Sequence, residues 1–402
     1  MSTPNARFLN RATPPKIVTL ILMAGLSALT MNIFLPSLPS MAAWFDVPYA
    51  FMQLSVALYL LLSAFLQILI GPLSDRYGRR PVLLVSFTIF LLATIGTLLA
   101  PNAVAFLIFR MLQAVIASGM VLSRAVVRDV TTDPGQAASM IGYVTMGMTL
   151  VPMIGPVIGG YLDQYIGWQA NFGLLFGMGL LVLGLIYADL GETATPSTTG
   201  MFQQFQKYPA LLKSTAFWGY CLCAAFASGC FFAYLGGAPY VGNQVFGLSS
   251  SQIGKLFALT AVGYAMGNFV AGRFSARVGM NRMVLLGTLA TTGGLGVLAL
   301  LTFAGLSGPV VFFSLTIAMG IGNGMSLPNA NAGILSARPD LAGTASGLGG
   351  AITIGGGAAL AALAGAILPP GATEMPLILL MLASSLASNL AILAVIGRAR
   401  AA

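Results

Sequence analysis

Apolar runs about 20 residues long, broken by short polar stretches, occupy nearly the whole chain. Twelve of them are read, at 17–38, 49–71, 82–101, 103–127, 138–163, 166–190, 215–236, 251–272, 282–305, 308–333, 342–367 and 373–396. Each is long enough for a helix to cross a hydrocarbon core of ~30 Å. The pattern predicts an all-α membrane protein of twelve transmembrane helices. The substantial polar connector is 191–214 (GETATPSTTGMFQQFQKYPALLKS), at the chain midpoint. It divides the chain into a six-helix bundle over 1–190 and another over 215–402, with a cytoplasmic linker between them.

The polar breaks hold a repeat. Residues 71–81 read GPLSDRYGRRP and residues 272–282 read GRFSARVGMNR. Gly71, Ser74, Arg76 and Gly78 recur as Gly272, Ser275, Arg277 and Gly279, 201 positions on in a chain of 402. Two halves of one membrane architecture have been joined end to end, the mark of an alternating-access transporter whose halves rock about a central site.

Composition agrees. Hydrophobic residues are 57% of the chain and charged residues 7%, where a soluble domain carries about a quarter charged; mean hydropathy is +0.91. The net charge of +9 raises the question of nucleic acid, but its placement answers it. With twelve spans, all of the 18 Lys and Arg residues except Arg110 and Lys255 fall on or near one side. That asymmetry is the positive-inside pattern, and it places both termini in the cytoplasm with no polyanionic partner implied. The polar N-terminal stretch before 17–38 lacks the pattern of a cleaved signal, and no attached soluble domain is expected.

Several chemistries are disfavoured. The chain has no histidine, the usual proton shuttle and metal ligand. Cys221, Cys223 and Cys230 share one apolar run at spacings that suit packing better than zinc or redox chemistry. No phosphate-binding GxxxxGK[ST] loop occurs. GIGNG at 320–324 lies inside an apolar run, where glycines serve helix packing. With no constellation of reactive groups in the bilayer, the chain is not read as an enzyme, and neither cofactor nor metal is called for; energy must come from a gradient.

The candidate machinery follows from which polar residues stand where. Asp75, Arg76, Arg79 and Arg80 can form charge-assisted bonds between neighbouring helices and so act as a cytoplasmic gate. The second copy lacks the acid, Ala276 replacing Asp75, so such a lock would be asymmetric. Arg110 stands inside a span, where a charge costs roughly 2.5–3.5 kcal/mol on insertion scales, and Gln113 shares its helical face. Two readings stay open for Arg110: a charge that answers to a proton or substrate, and a structural bond from span four to span one. Asn32, Tyr59, Tyr234, Asn323 and Asn329 are the further candidates for the substrate cavity, Asn32 and Asn323 foremost, because an amide in hydrocarbon needs partners. Pro152, Gly155, Pro156 and Gly159 give span five a bend and close approach, suited to a hinge or seal, and the glycines of span eleven stand at the equivalent place.

These motifs resemble the major facilitator superfamily. GPLSDRYGRRP is similar to its GxxxDRxGRRP loop, Arg110–Ala114 to its RxxQG motif with alanine for the usual glycine, and Gly147–Gly160 to the span-five motif associated with exporters. Ser123–Asp129, with Arg124 and Asp129 in it, Leu327–Ala330 and Ala342–Ser346 resemble the bicyclomycin- and chloramphenicol-resistance branch. The resemblance implies the twelve-helix major facilitator fold in a bacterial cytoplasmic membrane, acting as a monomer to export small amphipathic compounds by proton antiport. One departure bears on coupling. Related exporters usually carry an aspartate just before the LP turn that ends span one, where this chain has Asn32. With no carboxylate expected near the midplane, facilitated diffusion without protons stands as the alternative, as does a non-transporting receptor on the same fold. Asp129 is the nearest candidate for a proton site.

Overall fold

The computed structural model describes residues 8–131, 134–194, 208–338 and 341–401, and among these no strand occurs. Twelve long helices succeed one another: α1 (Ile17–Trp44), α2 (Tyr49–Tyr77), α3 (Arg79–Leu98), α4 (Ala103–Val130), α5 (Pro134–Tyr165), α6 (Gln169–Asp189), α7 (Thr215–Val245), α8 (Ser250–Val278), α9 (Met280–Phe303), α10 (Pro309–Ser336), α11 (Ala342–Ala366) and α12 (Met375–Ala401). Among the described residues, eleven are apolar and long enough to cross a membrane. The other, α5, has 32 residues, about 48 Å of helix. Their outer faces carry Leu92, Phe269, Phe303 and Leu390 at 63–88% exposure, large apolar side chains of the kind that face lipid on a membrane helix. Trp44 and Tyr165 lie exposed at one end of the helices, Tyr77 and Tyr187 at the other, where amphipathic rings meet lipid headgroups.

The apolar runs mark the spans but understate them. GPLSDRYGRRP is not the loop expected over 71–81: α2 continues through Pro72 and Asp75 to Tyr77, and α3 starts at Arg79. Gly78 alone turns the chain, at φ 95° and ψ 151°, a region open essentially to glycine. Gly279 repeats the turn between α8 and α9 at φ 90° and ψ 142°, so the sequence repeat is a repeat of backbone geometry. The LP turn in α1 likewise does not end the helix. A 3-10 turn at Leu35–Ser37 absorbs Pro36, and the helix resumes to Trp44.

Within the first half α5 lies along α1 and α6 along α3; in the second, α10 lies between α8 and α9 while α7 packs on α11 and α12. The GIGNG run explains that close packing. A Cβ at Gly320 or Gly324 would strike backbone of α8 (Thr260, Tyr264), and one at Gly322 would strike Gly287 of α9. Small residues here let three backbones touch. The main contacts between halves are α2 with α11 and α5 with α8, pairs that the repeat interchanges.

Candidate functional site

Between the halves lies a cavity of about 900 Å³, open at the end that carries Gly78 and Gly279. We call this the basic end, since Arg76, Arg79, Arg80, Arg273, Arg277 and Arg282 cluster there. One wall comes from α2 and α4 (Gln67, Gly71, Asp75, Arg124, Arg128, Asp129) and from Arg79 of α3; the facing wall comes from α10 and α11 (Asn331, Ile334, Ser346, Gly350, Thr353).

The opposite end is shut by contacts across the halves. Gly160 of α5 lies so close to α8 that a Cβ would overlap the Ser250 carbonyl, and Gly254 of α8 answers against the Pro156 carbonyl. Asp163 completes this seam. Its carboxylate accepts from Ser40 Oγ of α1 at 2.8 Å and from Ser250 Oγ of α8 at 2.5 Å. On the other seam Tyr49 OH donates to the Gly236 carbonyl at 2.5 Å and Gln53 Nε2 to the Ala361 carbonyl at 2.7 Å. None of Asp163, Tyr49 or Ser250 was singled out from sequence. The signal available was a hydroxyl or acid placed just inside a span end, which is too common to choose by.

At the basic end Arg79 is a hub. Its guanidinium pairs with Asp75 at 2.5 Å and, through Nε, with Asp129 at 3.0 Å, and also donates to Ser74 Oγ. All these partners belong to the first half, so α2, α3 and α4 are tied together while the cavity stays open. In the second half Met280 stands for Arg79 and Ala276 for Asp75, and Ser275 Oγ is buried without a partner. The asymmetry expected from sequence is therefore present in side chains, on a backbone that repeats. Glu192, from the connector, caps α3 through the Arg79 and Arg80 amides at 2.8 and 3.2 Å. A carboxylate on orphan amides at a helix N-terminus stabilises it by dipole and hydrogen bond. Glu192→Ala is expected to cost about 1 kcal/mol, seen as a lower unfolding temperature in detergent; an unchanged temperature would discount the cap. Arg80 runs along the end of α6, donating to the Leu190 carbonyl at 2.9 Å with its guanidinium 5.5 Å from the Tyr187 ring centre. Arg76 leaves the hub and lies over Tyr77.

Arg110 is fully buried in the first half. It donates to the Thr30 carbonyl of α1 at 2.8 Å and to Gln113 Oε1 at 2.9 Å, between the rings of Phe34 (4.4 Å) and Tyr59 (4.0 Å). Gln113 Nε2 in turn donates to Thr94 Oγ1 of α3 at 2.8 Å. Just beyond, α4 tightens to a 3-10 turn over Gln113–Ile116, and Ser27 of α1 donates to the Ile116 carbonyl at 2.6 Å. Tyr59, Arg110 and Gln113 thus form one polar knot joining α1, α2, α3 and α4.

The other cavity candidates do not join them. Tyr234 is buried in the second half with Thr260 donating to its hydroxyl at 3.2 Å, beside Phe257 and Phe313. Asn32 and Asn329 donate to carbonyls of their own helices, Ala28 at 2.9 Å and Met325 at 2.8 Å. Asn32 Oδ1 and Asn323 Nδ2 are buried without partners. None of the seven cavity candidates lines the open cavity in this conformation; of the gate candidates, Asp75, Arg79, Arg124 and Asp129 do. Gly155 and Gly159 bring α5 against Leu29 and Ile33 of α1, while Pro156 faces α8. The side chain of Pro152 lies outside the described residues, as do Asp133 and Asp340.

The comparisons agree with this geometry. The profile of the Major Facilitator Superfamily matches residues 20–362. The chain is 33% identical to an uncharacterized MFS-type transporter, YdgK, of Bacillus subtilis, over 74% of each chain. It is 31% identical to a chloramphenicol resistance protein of Pseudomonas aeruginosa, over 79% of this chain and 76% of that one. With a bicyclomycin resistance protein homolog of Haemophilus influenzae it shares 28% identity over 86% and 88%. A bacterial homolog of the human lysosomal transporter Spinster, solved in an inward-facing and occupied conformation, superposes with a TM-score of 0.70 over 96% of both chains at 17% identity. The chain therefore belongs to the Major Facilitator Superfamily of multi-pass membrane transporters that move small molecules, and is distantly related to drug-resistance efflux proteins.

Proposed function

We propose that this protein exports small amphipathic compounds, drugs or metabolites, across a bacterial cytoplasmic membrane by alternating access. The observation that carries the reading is the cavity of about 900 Å³ between the halves, open at the basic end and closed by cross-half contacts at the other. That volume suits a drug-sized ligand. The positive-inside rule makes the basic end cytoplasmic, with both termini inside, and the conformation is then the inward-facing one. The bodies that move are 1–190 and 215–402, joined by 191–214, and the protein acts as a monomer. The Asp75–Arg79–Asp129 hub stiffens the first half's rim, against which α11 closes when the cavity turns outward.

Proton antiport is what the family resemblance implies. A specific observation favours the alternative of facilitated diffusion. The described carboxylates all stand at helix ends or in connectors, with Asp189 held beside Lys16 and Thr19, Glu374 beside Ser307, and Asp163 in the outer seam. At mid-span stands Asn32, which cannot titrate. The test is uptake of a drug panel by inside-out vesicles with a pH gradient imposed and then collapsed. Uptake of at least one compound is expected. Its loss with the gradient means antiport; equilibrative uptake unmoved by the gradient means diffusion, most clearly if Asn32→Asp then confers concentration. Binding without counterflow would replace the transporter with a receptor.

A further inference from the structure

We infer that the substrate is an amphipathic anion, a carboxylate or sulfonate on an apolar body, received by Arg124 and Arg128 and drawn outward by the membrane potential. The inference rests on the exporter reading and names the substrate class of the same cavity. Its basis is the charge arrangement of the wall. Asp75 and Asp129 share Arg79, and with Arg124 and Arg128 on the same wall three arginines face two acids. Arg124 and Arg128 remain, and among the described residues neither has a carboxylate partner. The contact found for Arg124 is a weak one, to Met148 Sδ at 3.4 Å.

These two arginines are more than a basic rim. Arg124 stands six residues inside the end of α4, about 9 Å along the helix, where a guanidinium is tolerated only facing protein or a watery cavity. Four residues apart on one helix, the pair repels itself, and an anion seated between the two forks relieves that repulsion with charge-assisted bonds. Across the cavity the α10–α11 wall is uncharged: Asn331 and Ser346 offer donors to an oxyanion, and Ile354 offers apolar surface to the body behind it. A lipophilic cation would meet two guanidiniums that have no carboxylate partner among the described residues, beside acids already drawn to Arg79.

The same chemistry meets the missing mid-span titratable group. A monovalent anion leaving a negative interior moves down the potential, tenfold in concentration for each 59 mV, so concentrative export needs no proton site at all.

Three labelled probes with one apolar body separate the cases: 4-phenylbutyrate, 4-phenylbutanol and 4-phenylbutyltrimethylammonium, measured by equilibrium dialysis on purified full-length protein. The anion should bind at least ~10-fold tighter than the cation, a difference of about 1.4 kcal/mol. Arg124→Gln with Arg128→Gln should erase that preference, and Arg124→Lys with Arg128→Lys should keep it; a single symmetric elution peak for each variant guards against misfolding. Cation binding equal to or tighter than the anion's, no anion binding, or a preference that survives the glutamine pair would each overturn the inference. Flux is read separately in proteoliposomes under a potassium–valinomycin potential. Potential-driven accumulation of 4-phenylbutyrate supports the inference. Movement of chloramphenicol without 4-phenylbutyrate overturns it and leaves the exporter reading intact. Movement of neither also overturns the inference, and the exporter reading falls with it only if the whole drug panel fails.

Discussion

Gly160→Ala is expected to prise open the end of the molecule that is closed here. A methyl on Gly160 has nowhere to go: it would overlap the Ser250 carbonyl and crowd Ser251 Cα, and these are backbone atoms of α8, which cannot rotate aside. Overpacking of this kind costs about 1–3 kcal/mol. Because the strained contact crosses the halves, the penalty falls on this conformation and not on one in which α5 and α8 have parted there. The balance should therefore move outward by roughly 5- to 150-fold. The adjacent residue supplies the control. A methyl on Gly159 meets the Ile33 carbonyl of α1, inside the first half, so Gly159→Ala should cost stability in every conformation and leave the balance alone. The measurement is labelling of Ser40→Cys by a water-soluble maleimide from outside; Cys221, Cys223 and Cys230 are all buried and give little background. Faster labelling in Gly160→Ala but not in Gly159→Ala is the expected pair of results. Equal rates in all three proteins would mean that the α5–α8 seam does not open.

That neighbouring glycines divide their duties shows what the sequence could and could not reveal. The spans, the repeat and the small-residue character of α5 were legible, because hydrocarbon thickness and backbone approach leave direct traces in composition. Which glycine faces which helix was not, since it depends on how α5 is rotated between α1 and α8. The polar candidates show the same limit. An amide in an apolar run must find a partner, but Asn32, Asn268 and Asn329 find one on their own helices, at the carbonyl four residues back. Polarity within a span therefore marks a solvation need without marking a cavity. Charge at a span end was a better guide. Asp75, Arg79, Arg124 and Asp129 stand on the open wall because a charged residue so close to the hydrocarbon can only face another helix or water. Glu192 went unnoticed because its role is to cap a helix that begins 113 residues earlier.

The second large effect is at Arg110, and its order runs against charge conservation: Arg110→Lys is expected to be less stable than Arg110→Met. The guanidinium reaches the Thr30 carbonyl and Gln113 Oε1 together while lying flat between Phe34 and Tyr59. An ammonium is a compact point charge on a flexible stem and cannot reproduce that fork and stack. Lysine thus retains the burial cost of a charge, roughly 2.5–3.5 kcal/mol on insertion scales, and loses part of what offsets it: a charged hydrogen bond contributes about 1.5–3 kcal/mol and a desolvated cation–π contact about 2 kcal/mol. A net loss of about 2–3 kcal/mol follows for Arg110→Lys. Methionine forfeits all of those contacts and strands the Thr30 carbonyl, since the helix gives way to a turn at Ile33–Phe34 and no backbone amide is found on that oxygen. It also removes the buried charge, whose cost is roughly 2.5–3.5 kcal/mol on insertion scales and several times that by simulation. The Thr30 carbonyl and Gln113 Oε1 are then orphaned, at about 1–3 kcal/mol each, and Arg110→Met with Gln113→Leu should recover the second of these in part. Thermal unfolding in detergent ranks the variants, and export assayed beside it separates the two readings of Arg110. Export that falls only in proportion to folded protein makes the residue a structural tie between α4 and α1. Export abolished in a well-folded Arg110→Met would assign the guanidinium a role in the transport cycle, and a lysine variant as stable as wild type would refute the fork as the source of its stability.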